Sequence, residues 1–475
     1  MRTTPQSRRA FLRAASGLGT AVGFGPSLGL GLGLAGLGTL ASQSAQAAGG
    51  SGYKALVCLF MAGGNDSHNW IVPTDAAEYA AYAKARQDLA IPHASLMPMS
   101  TPEQGSGRSF GMPADLQPLH ALYERGRCAV VANVGPLARP ISKAEYNAGV
   151  GLPKKLFSHN DQQSTWQSLA PEGAPSGWGG RMADVLMAAN QHAVFTAVST
   201  AGNVAFLNGA QVAQYQLASR GAVEVESLQR SSIHGSGEAA MHVRIALGAA
   251  NASSPFLAEY MRVTQRSLDA ANTLRGALAA SPVAGLPATT LRASNQAAFS
   301  LASDPLANQL RTVAGMIAAA PRLGMRRQVF MVQMPGFDTH SQQMRDQPAL
   351  MARVAASLGW FMDALAQAGL QDQVTVFTAS DFGRTLVSNG NGSDHGWGAH
   401  HLVVGGAVRG RRIAGQMPAA GLGTAQDIGS GRLLPSTSVT QLAAALGGWM
   451  GLSGSELRYA LPNLAQFDLG TPALF

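Results

Sequence analysis

The chain is 475 residues long, 46% hydrophobic and only 13% charged, against roughly 25% charged residues in an ordinary globular domain. A half-apolar composition with 56 glycines and a mean hydropathy of +0.05 excludes a disordered chain and a polytopic membrane protein. Two cysteines exclude a disulfide scaffold, and no Cys-x-x-Cys pair exists for a zinc ribbon or a redox motif.

At the start of the chain, Ser7-Arg8-Arg9-Ala10-Phe11-Leu12-Arg13 resembles the twin-arginine export motif. A weakly apolar stretch from Ala14 to Ala41 and a small-residue end, Ala45-Gln46-Ala47, complete the pattern of a cleaved signal peptide. The apolar stretch is long enough to span a membrane, but Pro26 and nine glycines make it a poor helix. The expectation is a signal over residues 1–47, a periplasmic or extracellular protein, and no stable membrane span after cleavage. Cleavage removes four arginines and no acidic residue, which lowers the formal net charge from +8 to +4. No Lys/Arg cluster with interleaved aromatics remains, so no nucleic-acid surface is expected.

Further along, short apolar runs predict buried strands at Tyr53–Met61, Cys128–Val134, Ala193–Val198, Gln328–Met334, Gln373–Ala379 and His401–Gly405. Helical periodicity is clearest at Phe256–Ala279 and Ala349–Ala368. Strand and helix alternate, which predicts one α/β domain over residues 48–475, with a doubly wound, mostly parallel sheet covered on both faces. The Ala/Ser/Gln-rich stretch from about 202 to 323 reads as a helical insertion or cap. Cys58 and Cys128 each sit in a strand run, so two buried thiols are expected rather than a disulfide.

In open α/β sheets, sites form where strands end at their carboxyl edge. Asp66 follows the first strand, Asp338 and His340 the fourth, and Asp381 and Arg384 the fifth, while His395 and His400 lead into the sixth. Carboxylates and imidazoles converging on one edge suit a divalent cation, which would also relieve their mutual repulsion. Taken singly, each has a plainer role. Asp66 and Asp338 suit turns or helix caps, Asp381 suits an ion pair with Arg384, and His401 suits the strand it opens. His68 and His159 suit donors to the ligands. Ser158 stands where a helix begins, either as its cap or as a nucleophile beside the cation. Gly-x-Ser-x-Gly occurs at Gly25–Gly29, inside the expected signal, and at Gly107–Gly111, which no predicted strand leads into, so an ordinary α/β-hydrolase triad is not expected.

Taken in order, Gly63-Gly64-Asn65-Asp66, Phe157-Ser158-His159 with Asp161-Gln162, Gly336-Phe337-Asp338-Thr339-His340, Ser380-Asp381-Phe382-Gly383-Arg384 and Asp394-His395-Gly396 resemble the exported bacterial family called domain of unknown function 1501. That family is placed in the alkaline phosphatase and sulfatase superfamily, which implies a two-metal site for phosphate or sulfate esters. The resemblance makes Asp66 the first-strand ligand and puts Ser158 in the nucleophile's place. Asp338 and His340 would hold one ion and Asp381 the other, with His395 or His400 completing the shell and Arg384 gripping the anion. Two departures stand out. Asp338 and His340 are separated by one residue where the alkaline phosphatase pattern has three, and Phe382 occupies the position of a histidine.

These readings together predict an exported hydrolase of small anionic phosphate or sulfate esters, using one or two divalent ions among zinc, manganese and calcium and a metal-activated Ser158. The competing expectation is a non-catalytic envelope binding or assembly protein that keeps the fold and a structural ion. Protein partners are not readable from the chain.

Overall fold

The computed structural model describes residues 52–218, 236–239, 241–242, 255–281, 283–470 and 472–475. The expected signal at 1–47 lies outside the described residues, as do parts of the expected insertion. Nine strands form the main sheet: β1 (Lys54–Ala62), β2 (Cys128–Gly135), β3 (Ala197–Ser199), β4 (Tyr215–Gln216), β5 (Arg327–Pro335), β6 (Val374–Ser380), β7 (Ala399–Gly405), β8 (Arg412–Ala414) and β9 (Thr437–Ser438). Their order is β8-β2-β7-β6-β1-β5-β3-β4, with β9 paired to β2. β1 lies parallel between β5 and β6, so Cys58 stands opposite Met331 on one side and Phe377 on the other. Among the described strands of this sheet, β7 alone runs antiparallel to its neighbours, β6 and β2.

The longer helices are α1 (Ala76–Arg86), α2 (Gln117–Glu124), α3 (His159–Ser168), α4 (Trp178–Leu186), α5 (Pro255–Ala279), α6 (Pro305–Ala318), α7 (Gln343–Gln367) and α8 (Val439–Met450). Side chains alternate between the two faces of a strand. Val57, Leu59 and Met61 of β1 therefore join one core with Leu119 of α2, Leu310 and Val313 of α6, and Val354 and Leu358 of α7. Leu56, Cys58 and Phe60 join the other with Trp166 of α3, Met182 of α4, and Leu442 and Leu446 of α8. The expected α/β class, with a large and mostly parallel sheet between helices, is what the chain forms.

Three elements differ from the sequence pattern. The run Ala193–Val198 is a 3-10 turn at Ala193–Phe195 and becomes a strand only from Ala197. Asn190 accounts for the delay: its carboxamide accepts from the Arg326 and Arg327 N–H groups and donates to Thr196 Oγ1, clipping the chain before it joins the sheet. Helix α7 begins at Gln343, six residues before the predicted start and ahead of Pro348. Its first turn is held by side chains, since Gln343 donates to the Asp66 carboxylate and Gln347 to the Asp66 carbonyl at 2.8 Å. Within the stretch 202–323, β4 extends the sheet edge, and α6 is buried against the sheet.

The two thiols belong to opposite cores, with Cys58 on one face and Cys128 on the other. Three strand spacings separate β1 from β2, roughly 14 Å, whereas a disulfide needs Cα atoms within about 7 Å. Both are free and buried, and burial pushes the Cys128 thiol up to about 12 and Cys58 well up as well. Neither thiol should react with a thiol-specific chromogenic reagent in the native protein, and both should react fully in guanidinium. Rapid labelling of the native protein would contradict this packing.

Candidate metal centre

Where β1 ends, the chain turns through Gly63 and Gly64 at φ +120° and +87°. A Cβ on Gly63 would lie 2.3 Å from the Asp338 nitrogen, and one on Gly64 would lie 2.3 Å from the Phe382 ring. Only glycine lets the turns after β1, β5 and β6 come this close. Arg384 then ties them together. Its fully buried guanidinium donates to the carbonyls of Gly64 (2.8 Å), Gly63 (2.8 Å) and Ser393 (2.5 Å), and to Asp338 Oδ1.

Three histidines and one aspartate meet at this junction. His340 Nε2 lies 2.7 Å from His395 Nε2. Asp338 Oδ1 lies 3.3 Å from His340 Nε2 and 3.4 Å from His395 Nε2, and Asp338 Oδ2 lies 3.5 Å from His159 Nε2. One ligand atom from each of His159, Asp338 and His395 falls within 4.8 Å of the others. The opposite ring nitrogen of every histidine has an acceptor. His159 Nδ1 is 2.7 Å from Asp381 Oδ2, His395 Nδ1 is 2.7 Å from the Phe157 carbonyl, and His340 Nδ1 is 3.3 Å from Asp394 Oδ1. A carbonyl only accepts, so His395 carries its proton on Nδ1 and turns a bare lone pair inward. The Asp394 carboxylate sets the same tautomer on His340. Two lone pairs 2.7 Å apart repel unless a cation or a shared proton lies between them, and burial lowers the affinity of His395 for a proton. Outer acceptors that orient imidazoles toward one point are the usual surroundings of a metal ligand set. His159, His340, His395 and Asp338 thus fit a borderline divalent cation such as zinc.

Of the expected ligands, Asp338, His340 and His395 stand together, and the other candidates make different contacts. Asp381 is fully buried, and its oxygens accept from Gly63 N–H (3.0 Å), His159 and Gln163 (2.8 Å), which places it behind the His159 ring. Asp66 is engaged elsewhere. It is buried in an ion pair with Arg86 and also accepts from Gln343 and the His68 N–H. Burial raises its proton affinity, but the Arg86 guanidinium outweighs that and holds the carboxyl below its ordinary value. His400 Nδ1 accepts from Asn133 N–H at 3.1 Å, and burial drives its pKa down to about 3, which makes it a core residue. Arg384 has every nitrogen engaged within the fold. Ser158 precedes α3 without capping it, because its hydroxyl donates to Asp161 Oδ2 at 2.9 Å. His159, read as an outer donor, stands with Asp338 and His395; its place beside Ser158 at a helix start was the signal. Phe382 packs against both His159 and His395, with ring centroids 4.9 and 4.4 Å away. His159 supplies from α3 the imidazole that Phe382 does not.

A model of the family described as protein of unknown function (DUF1501) matches residues 53–460. The chain belongs to this family. No protein of curated function matches it. Among solved structures it is similar to a Bacteroides thetaiotaomicron protein from a core genetic locus for metabolism of multiple glycosaminoglycans, at 11% identity. That match covers 86% of this chain and 74% of the other, with a TM-score of 0.31. A candidate sulfatase from Bacteroides thetaiotaomicron VPI-5482 is also similar, at 11% identity over 84% and 71% of the two chains, with a TM-score of 0.26. At these scores neither likeness bears on the chemistry of this DUF1501 chain.

The Asp66 correction is testable. Arg86→Met leaves a buried carboxylate without its cation and should cost about 3–5 kcal/mol in a denaturant titration. Because the folded pKa of Asp66 is depressed, its contribution is present above the unfolded value near ~3.9 and fades as pH falls through the folded value. A loss under 1 kcal/mol would place Asp66 outside the load of the fold.

Proposed function

We propose that the protein is an exported metal-dependent hydrolase of phosphate or sulfate esters. The convergence of His159, His340 and His395 Nε2 on Asp338, with each opposite nitrogen anchored, carries this reading. A divalent cation held there supplies Lewis acidity toward an ester oxygen. The chain's own residues account for the remaining requirements. Ser158 lies between Phe157, whose carbonyl fixes His395, and His159. Phe157 adopts φ +71°, a strained value that turns this carbonyl toward the ring. With Ser158 not capping α3, the first-turn N–H groups stay available to an anion. Arg432 is the anion-binding cation that Arg384 is not. It donates to the His395 carbonyl at 2.7 Å and lies over the Phe157 ring, while its Nη2 makes no hydrogen bond among the described residues.

In this reading the Ser158 oxygen forms a bond to phosphorus or sulfur, and its proton passes to Asp161, the acceptor already in place. The ester's alkoxide leaves with that proton, handed on by Asp161. One water then attacks the seryl ester, its oxygen staying on phosphorus or sulfur and one of its protons returning to the Ser158 oxygen. The leader motif at Ser7–Arg13 supports export and release as one domain.

A second reading has its own support. Asp66 and Arg384 are spent on the fold, which removes part of an expected two-metal site and suits a binding or assembly protein with a structural ion.

Metal analysis and turnover separate the two. Mature protein stripped with chelator and reloaded should bind a divalent ion. Asp381→Asn should weaken that binding about 10–100-fold, the usual effect of losing a carboxylate behind a ligand histidine. On a panel of aryl phosphates and sulfates, Ser158→Ala should abolish turnover with the metal retained, and Arg432→Met should raise KM. Stoichiometric metal without turnover on any ester would favour the binding reading, and no metal at all would end both.

A further inference from the structure

We infer that the cleft beside the metal centre is a subsite for a neutral polyhydroxylated alcohol such as a sugar ring, the part of the ester that is released. The inference rests on the hydrolase reading only for the bond to be cut; the subsite is argued from its own lining. The cleft holds about 330 Å³ and is lined by Asn160, Gln163, Gln167, Asn203, Gln333 and Glu172, among others. That volume is at the small end of the range for ligand sites.

His159, Gln163 and Gln167 stand four residues apart along α3 and so share a face. At 1.5 Å per residue, Gln163 and Gln167 lie about 6 and 12 Å along the axis from the metal-centre histidine. The cleft lining on α3 therefore starts at Asn160, one residue past His159, and follows the helix away from it. Gln163 makes the link, because its Nε2 donates to the same Asp381 oxygen that orients His159.

Three of the lining amides are pinned at one end and open at the other. Gln163 is held by its Nε2, which leaves Oε1 as an acceptor. Gln167 Oε1 accepts from the Phe206 N–H at 3.0 Å, which leaves Nε2 as a donor. Asn203 Oδ1 accepts from Gln214 Nε2 at 2.5 Å, which leaves Nδ2 as a donor. The side-chain amides of Asn160 and Gln333 have no partner among the described residues. One fixed acceptor, two fixed donors and two unpartnered amides match hydroxyl groups, each of which both donates and accepts. No Lys or Arg lines the cleft, and Glu172 would repel a further anionic group. A second phosphate, a sulfate or a carboxylate on the alcohol is thereby disfavoured, and a neutral ring is accepted.

The test is titration of metal-loaded mature protein with methyl α-D-glucopyranoside, N-acetyl-D-glucosamine and myo-inositol, followed by saturation-transfer NMR. At least one should bind saturably, and Gln167→Leu and Asn203→Leu should each weaken it roughly tenfold, about one good hydrogen bond. Neither substitution touches the metal ligands, so metal content should not change, and matched melting temperatures exclude misfolding. Binding should persist in His395→Ala, which separates the subsite from the metal centre. No saturable binding of the three probes, or equal binding in both leucine variants, overturns the subsite and leaves the hydrolase reading standing. Sugar binding in a protein that takes up no metal supports the subsite and removes the hydrolase reading.

Discussion

The guanidinium of Arg384 joins three turns that are far apart in the chain: the Gly63-Gly64 corner after β1, Asp338 after β5, and Ser393 in the hairpin before β7. Its charge lies in the interior, where an unpaired cation would be strongly unfavourable. The turns supply three carbonyls and a carboxylate to satisfy it, and they can do so only when packed against one another. One buried cation thus fixes how far apart Asp338 and the hairpin histidine stand. A ligand set needs its groups held to within about 0.5 Å, and rigid, fully bonded support of this kind provides that.

The direction of β7 matters as much. In a wholly parallel sheet, residues that precede a strand lie at the amino edge, away from the site. The hairpin pairing Arg384 with His395 reverses the chain, so the segment entering β7 lies at the carboxyl edge of β6. His395 reaches Asp338 for that reason. The chain also closes a circuit of support there, with His395 held by Phe157, Arg432 donating to His395, and Phe382 packed beneath both His159 and His395.

Strands in this chain were readable because both faces of the sheet are covered, which leaves unbroken apolar runs such as Lys54–Ala62. Asp338, His340 and His395 were readable because each follows or precedes such a run in a glycine-rich turn. Asp66 and Asp338 look alike at that level, and their difference lies in what faces them. Asp66 is fully buried against Arg86 from a helix twenty residues on, while Asp338, paired with Arg384 through one oxygen, keeps its side chain 46% exposed among imidazoles. No local pattern encodes a distant partner of that kind. His400 shows the same limit: two neighbouring histidines open β7, but strand placement buries both, and their pKa values fall to about 3.

His159 and Phe382 show why a family pattern transfers by geometry more securely than by position. The position after Asp381 bears a phenyl ring that cannot ligate, and taken alone that loss weakens the case for a metal. In the fold the ring is a platform: it packs against His159, whose Nδ1 is held by the same Asp381 that precedes the phenylalanine. Asp381 accepts from His159, and that imidazole, carried by α3, stands beside Asp338 and His395. The carboxylate nearest the three imidazoles is that of Asp338. One carboxylate neutralises half the charge of a divalent ion, so a cation placed there would keep a net positive charge. An anionic ligand would meet that charge together with the nearby N–H groups of α3 and the Arg432 side chain, which add to the same field.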